Sequence, residues 1–452
     1  MRTFGDALSV ELPDTRFTRV GDDRIAYQVF GDGPIDLIYV VGTTQTIDFV
    51  WDWPPFAHYL RRLASFTRVI MFDRRGSGAS DRVTGAGLSI WEHWADDIRA
   101  VQDAAGSERA AIYASTDSGP SAILFAATAP ERTQALVLFC TTARFTAAED
   151  YAGLSPDQIE AAHAYIVENW GTEDMTAFGS PMLSQDPALR SWGAKVARAA
   201  YNSQDILPAM RSSISADVRQ ILPTVRTPTL VISCKDFPWA PLEHGRYLAE
   251  HIPNAQLLVV PGNDATDFYE PEERLREMET FLGGTPAQAK TTDRVLAAVL
   301  FTDIVGSTEQ AAALGDRRWK TLLDSHDTIA RGVVEQCEGR LVRVTGDEIL
   351  ATFDGPGRAV RCAISLREAM RTLAIEIRTG IHTGEIELRG ASIDGLGVHV
   401  AARVREHAGP GEVLVSAAVP LLMVGSGVDF EPRGEWVLRG VPGEWPLFAL
   451  KS

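Results

Sequence analysis

The chain holds 452 residues, more than one hydrophobic core usually fills, so two or three domains are expected. Hydrophobic residues make up 45% and charged residues 23%, the balance of globular domains rather than of a disordered chain. The net charge of −17 excludes non-specific attraction to nucleic acid or to an anionic membrane, since both need a positive field. No apolar run approaches the roughly 20 residues of a membrane span, and the opening MRTFGDALSVELPD has no signal-peptide core, so a cytoplasmic chain is expected. Cys140, Cys234, Cys337 and Cys362 show neither a metal-site nor a disulfide spacing and are expected as buried free thiols.

Residues 24–81 read as strand, turn, strand: RIAYQVF, IDLIYVVG, then RVIMFDRRGSGASD. Apolar runs alternate with amphipathic segments such as 91–105, the pattern of parallel strands joined by crossover helices. A strand at 110–113 runs into ASTDSGPSAILFAATAPERT, a sharp turn feeding a helix. Strands at 229–237 and 255–262 complete the sheet, while the polar, helically periodic stretch 144–221 reads as an inserted cap. A small, polar run, GGTPAQAKTT, follows at 283–292 and has the composition of a linker. The expected division is therefore 1–285, a linker at 286–293, and 294–452. From 294 the order is strand, helix (309–337), hairpin (341–353), helix (358–373), strand pair (375–388), helix (397–407), strand (412–416) and closing strands to 450. Helices interrupt a mostly antiparallel sheet, with one face expected covered and the other available.

The hairpin LVRVTGDEILATF places Asp347 at the tip of a tight turn. A second carboxylate, Asp303, closes the apolar strand 295–302 and is followed by Ile304 and by Gly306, Ser307 and Thr308, whose amides open a helix. Two such carboxylates can share divalent cations beside a helix N-terminus, which suits a magnesium-bound polyphosphate.

FTDIVGST at 301–308, GRLVRVTGDEILATFDGP at 339–356, GIHTGE at 380–385 and GVHVAARV at 397–404 resemble, in order and spacing, the class III nucleotide cyclase catalytic domain. The resemblance covers about 294–450 and implies an α+β fold with a ferredoxin-like core. It implies conversion of ATP, with GTP as the alternative, to a cyclic nucleotide and pyrophosphate, with two Mg2+ or Mn2+ ions per site held by Asp303, Asp347 and the Ile304 carbonyl. Arg403 matches the arginine that meets charge developing on the α-phosphate. His399, four residues earlier on the same helix face, stands where the family commonly has asparagine. Arg343 takes the base-reading position that is lysine in typical adenylate cyclases. The partner position aligns with Ser392, Asp394 lies two residues later, and Arg439 fits a basic contact to the terminal phosphates. The family pairs two catalytic domains head to tail, so a homodimer is expected.

Residues 21–282 resemble an α/β-hydrolase: a mostly parallel sheet with a helical cap. The catalytic pattern departs from the family. The GxSxG elbow reads Ala114, Ser115, Thr116, Asp117, Ser118, which puts a β-branched threonine at the nucleophile position. Asp236 stands at the acid position, but Ala265 occupies that of the base, and no histidine occurs between His251 and His326. Without an imidazole to take its proton, a threonine hydroxyl is a poor nucleophile. A retired hydrolase that holds an unidentified small molecule is expected, against the alternatives of an active esterase with a cyclase-like appendage or a binding protein with both sites dead.

Overall fold

The computed structural model describes residues 12–83, 87–180, 183–285, 294–390 and 392–451. The expected linker at 286–293 lies outside the described residues. The first sheet comprises β1 (Arg16–Val20), β2 (Asp23–Phe30), β3 (Asp36–Val40), β4 (Arg68–Phe72), β5 (Ala110–Ser115), β6 (Thr133–Phe139), β7 (Thr229–Cys234) and β8 (Gln256–Val260). Its order is β1-β2-β4-β3-β5-β6-β7-β8, with β1, β2 and β4 antiparallel and every later pairing parallel. Strands β5, β6 and β7 are buried along their whole length, as expected where helices cover both faces. Those helices are α1 (Pro54–Ala64), α2 (Ile90–Ala104) and α3 (Gly119–Thr128), then cap helices α4 (Pro156–Asn169), α5 (Glu173–Gly179), α6 (Pro187–Ala200) and α7 (Ile206–Ile214), then α8 (Leu242–His251) and α9 (Glu272–Gly284).

The second sheet contains β9 (Arg294–Ile304), β10 (Arg340–Thr345), β11 (Glu348–Phe353), β12 (Ile377–Arg389), β13 (Ser392–Asp394), β14 (Val413–Ser416), β15 (Phe430–Val437) and β16 (Glu444–Leu450). Their order is β10-β11-β9-β12-β14-β16-β15, with β13 paired on β12 and only β12–β14 parallel. Its helices are α10 (Ser307–Leu314), α11 (Asp316–Gln336), α12 (Pro356–Arg371), α13 (Leu396–Glu406) and α14 (Ala418–Leu422). Three expectations change. The helix read over 309–337 is two helices, because Gly315 takes φ +72 between α10 and α11 and breaks the ladder. The strand pair at 375–388 is one strand of 13 residues, β12. The second sheet face is not left open: alternate β9 residues Ala297, Val299 and Phe301 bury against Ala401 of α13, while Ala298 and Leu300 face α11 and α12. The four cysteines are free, and Cys337 is half-buried rather than buried.

The two sheets are joined by more than sequence. Leu296 of β9 and Leu422 of α14 belong to the same apolar cluster as Ile123 of α3 and Ile221 of the first domain. Beside this contact, α2 presents Glu92 and Asp96 to the start of α12. The Glu92 carboxylate accepts the Gly357 N–H at 2.9 Å, satisfying an amide of the α12 first turn from another domain. Arg358, almost fully buried, donates to both oxygens of Asp96 at 2.8 and 2.9 Å and to Glu338 at 2.8 Å. Arg75, in the loop after β4, holds the neighbouring Asp97 at 2.6 Å, and Arg99 reaches Asp354 at 2.9 Å. Replacing Arg358 by methionine leaves the buried Asp96 with only the Arg75 guanidinium 3.8 Å away, and losing the close partner of a buried pair costs about 3–5 kcal/mol. Arg358→Met is therefore expected to lower Tm clearly in a thermal melt, and an unchanged Tm would show that the two domains do not depend on this contact.

Candidate active site

Strand β9 ends at Ile304, and its last polar side chain, Asp303, lies opposite Arg378 in the antiparallel pairing with β12. Arg378 Nε donates to Asp303 Oδ2 at 2.9 Å. Across from it, the β10–β11 turn is made by Gly346 and Asp347, with Gly346 at φ +63, the left-handed conformation that a two-residue hairpin turn requires. Asp347 and Asp303 are neighbours, each shifting the other's carboxyl. Burial raises the Asp303 carboxyl, and the adjacent Asp347 adds to that, against the Arg378 guanidinium. At Asp347 burial is outweighed by the Ser307 hydroxyl and by Asp303, so its carboxyl is held below the usual range. Gly306 takes φ +66 as α10 begins, which brings Ser307 and Thr308 beside the pair. Two facing carboxylates, only one of which keeps a guanidinium partner, form a hard oxygen donor set that fits a divalent cation.

In the first domain, β5 runs into the turn Thr116–Ser118 and then α3. Thr116 holds φ +48, so the strained elbow persists although its residue is β-branched. Around it the charges are self-contained. Asp117 accepts from the Thr43 N–H at 3.2 Å and from Arg74 Nη2 at 2.9 Å, and also pairs with the Thr43 hydroxyl. Above the elbow lies a cavity of about 170 Å³ lined by Thr116, Ala265, Phe56, Trp192 and Phe268 among others.

Comparison with known proteins places both halves. Residues 50–271 match the model for the alpha/beta hydrolase fold, and residues 287–452 match the model for the adenylate and guanylate cyclase catalytic domain. The chain joins an α/β-hydrolase fold to a class III cyclase catalytic domain. An adenylate cyclase of Streptomyces coelicolor is 34% identical over 28% of this chain and 33% of its own length, and one from Streptomyces griseus is 33% identical over 26% and 31%. The chain thus spans about a third of the length of these curated relatives. The bromoperoxidase structure from Bacillus anthracis superimposes with a TM-score of 0.53 at 17% identity, covering 60% of this chain and 100% of that one.

Within the cyclase domain the sequence-read residues fall into two groups. Asp303, Ile304, Gly306, Ser307, Thr308 and Asp347 meet at one end of β9. Arg403 instead turns toward the β15–β16 connection, where its Nε donates to the Arg439 carbonyl at 3.1 Å and its guanidinium pairs with Glu406. His399 and Arg439 are exposed. Arg343 pairs with Glu348 at 2.9 Å; Ser392 donates to the Arg389 carbonyl at 2.9 Å; Asp394 accepts the Gly395 N–H at 2.8 Å. Arg378 and Arg405 were missed by sequence reasoning. Arg405 reaches Glu348 at 2.6 Å and adds positive potential at Asp303 and Asp347. Only the β9–β12 register and the helical offset from Arg403 could have revealed them. His382 of the GIHTGE motif is structural: burial lowers it to about 4, and its Nδ1 meets the Ser416 hydroxyl at 2.7 Å.

In the hydrolase fold, Thr116 and Ala265 line the same cavity, but Asp236 does not join them. It is exposed beyond β7: its backbone N–H still donates to the Gly262 carbonyl at 3.0 Å, and the next residue, Phe237, takes the place in the cavity wall. The buried carboxylate beneath the cavity is Asp267, which accepts from Tyr39 at 2.7 Å, from Gln45 at 3.0 Å and from Tyr113. No histidine lines the cavity among the described residues. A fluorophosphonate active-site probe is therefore expected to leave the chain unlabelled by intact-mass spectrometry. Stoichiometric labelling at Thr116, Ser115 or Ser118 would identify a working nucleophile.

Proposed function

We propose that the chain is an adenylate cyclase, converting ATP to cyclic AMP and pyrophosphate, and that its hydrolase-fold domain is a non-hydrolytic regulatory domain. The observation that carries the first part is the facing pair Asp303 and Asp347 at the end of β9, beside the opening of α10. Class III cyclase domains are divalent-metal dependent, and no metal cluster of three or more His, Cys, Asp or Glu side chains occurs among the described residues. Asp303 and Asp347, with the Ile304 carbonyl, would hold Mg2+ or Mn2+, which lowers the pKa of the ribose 3′ hydroxyl and neutralises the triphosphate. The amides of Gly306, Ser307 and Thr308 then orient the phosphates at the α10 N-terminus. Burial raises the Asp303 carboxyl, Arg378 opposes that shift while aiming the side chain, and Arg405 adds positive potential nearby.

Arg403, His399 and Arg439 belong, on this reading, to the other half-site of a homodimer. Arg403 turns away from Asp303 within its own chain, so a second copy is needed to bring an Arg403 to each metal pair. An exposed apolar set on the same side, Trp436, Val437 and Leu396, supplies material for such an interface. Arg343 offers donors only, which serve the adenine N1 acceptor, with Ser392 and Asp394 beside the base. Regulation is supported by α2, which touches Arg74 and Arg75 on one side and Arg358 of the cyclase domain on the other. No described helix is long and apolar enough to cross a membrane.

Purified protein with ATP and Mn2+ is expected to release cyclic AMP, and absence of product from ATP and GTP alike refutes the reading. Asp303→Ala is expected to abolish this activity, and Arg403→Ala to lower kcat by on the order of 10³. Mixing the two variants is expected to restore part of the activity, because one site of each heterodimer is then intact. A mixture that stays silent although subunits exchange would place both residues in one chain's site or in none. Separately, Arg343→Glu is expected to shift the product ratio toward cyclic GMP, since a carboxylate accepts from guanine N1 and N2; an unchanged ratio removes Arg343 from base selection.

A further inference from the structure

We propose that the cavity over the Thr116 elbow binds a small, uncharged aromatic molecule carrying a carbonyl or hydroxyl group, and that Asp117 enforces this choice by occupying the oxyanion pocket itself. The inference rests on the reading of the hydrolase fold as non-hydrolytic. In a working hydrolase, the oxyanion pocket is made by an N–H from the loop after β3 and the N–H of the residue after the nucleophile, and both stay free for developing negative charge. Here the loop after β3 offers the Thr43 N–H, and a carboxylate of the chain already accepts it at 3.2 Å.

That carboxylate is fixed on every side. The Thr43 hydroxyl pairs with Asp117, and Arg74, itself 1% exposed, donates to its second oxygen at 2.9 Å. The Arg74 guanidinium lies 3.9 Å over the Trp94 ring, which holds it in place from below. Asp117 therefore serves as a resident anion. Asp117 lies just behind the lining residue Thr116, so a ligand carboxylate aimed at the elbow meets like charge there, while Arg74 gives its Nη2 to Asp117 and keeps its Nη1 buried away from the cavity.

The walls specify the rest of the ligand. Phe56, Trp192 and Phe268 form one aromatic face, with Phe56 and Phe268 centroids 5.2 Å apart and Trp192 edge-on to both. Trp192 comes from cap helix α6 and Phe268 from the loop that replaced the base, so the cap and the core meet across the cavity. No charged side chain is among the residues that line it. The polar side chains that do are hydroxyls and one amide, those of Thr44, Ser115, Thr116, Thr176, Ser180, Thr266 and Gln45, of which Ser180, Thr266 and Gln45 already bond to Asp264 or Asp267 behind the wall. Such a lining pairs with one carbonyl or hydroxyl and otherwise favours apolar rings. At about 170 Å³ it suits a single ring with a short substituent.

The test is calorimetric titration of the full chain with three matched probes: methyl benzoate, benzyl alcohol and benzoate. Methyl benzoate and benzyl alcohol are expected to bind saturably, with benzoate at least ~10-fold weaker. Asp117→Asn is expected to strengthen benzoate binding by about 10-fold while leaving methyl benzoate within about 3-fold. Ala265→Phe, which fills the cavity, is expected to abolish binding of both neutral probes while Tm and circular dichroism stay unchanged; it tests the site even if Asp117→Asn does not fold. Benzoate binding the wild-type chain as tightly as methyl benzoate overturns the charge selection. Lack of saturation by either neutral probe up to ~10 mM, or binding undiminished in Ala265→Phe, overturns the site. Release of methanol from methyl benzoate would instead refute the non-hydrolytic reading, and leave the selection by Asp117 to be judged on the benzoate comparison.

Discussion

The cyclase half depends on one pairing, that of β9 with β12. Every residue of β9 from Arg294 to Ile304 has a partner on β12, and the alternation along β9 feeds two cores at once. One end of the strand carries Leu296 into the apolar cluster of the hydrolase fold, and the other carries Asp303 to the hairpin tip. At about 3.3 Å per residue, the seven steps between them span roughly 23 Å. A site that must hold two carboxylates face to face is thus built on the stiffest element available, and that same element is anchored in the neighbouring domain. The β12 register also delivers Arg378 to Asp303, so fold and site are fixed by the same hydrogen bonds.

Beside the apolar cluster that holds Leu296 and Leu422, the domain contact is built from buried charge. Burial raises Glu92 and Asp97 to about 7, which means that the medium around α2 disfavours their ionised forms. Arg75 and Arg358 offset that cost by direct pairing, and the α12 first turn adds the Gly357 N–H. Buried ion clusters contribute little net stability but tolerate few alternative arrangements, since any misplaced partner leaves a bare charge. The consequence is a fixed orientation between α2 and α12. Arg74 and Arg75 are consecutive, yet one reaches the elbow through Asp117 and the other reaches the domain contact through Asp97. A change in the conformation of that loop would be felt in both places.

What the sequence made legible was what is local. The Gly346–Asp347 turn, the β9 strand ending in Asp303, the elbow at Thr116 and the cap were all readable because turn chemistry and periodicity are encoded within a few residues. Apart from the helix split at Gly315 and the single strand β12, the failures are through-space. Asp236 looked like an acid partner by its place after β7, but it is exposed while its neighbour Phe237 is the residue that lines the cavity. Arg378 and Arg405 carry no motif signal of their own, since an arginine in a strand or on a helix is ordinarily a solvated charge. Asp117 stands at a variable position of the elbow and carried no signal in the sequence, and its hold on the Thr43 N–H emerged only from the loop after β3 folding onto it.

The elbow keeps the geometry of a nucleophile turn although a threonine stands at its centre. Thr116 at φ +48 is a costly conformation for a β-branched residue, and with no base opposite it the strain has no catalytic use. It persists because its neighbours are committed. The Thr116 carbonyl accepts the Thr141 hydroxyl, the Ser118 hydroxyl donates to the Ser115 carbonyl at 2.7 Å, and α3 follows at once with its residues packed into the main core. Relaxing φ at Thr116 would redirect α3, and α3 packs against β9 of the cyclase domain through the cluster that includes Leu296. The strained turn is therefore held by the architecture that joins the two domains rather than by any reaction performed at it. The cavity above this turn, with Thr116 in its wall, is thereby tied to the same packing that joins the two domains.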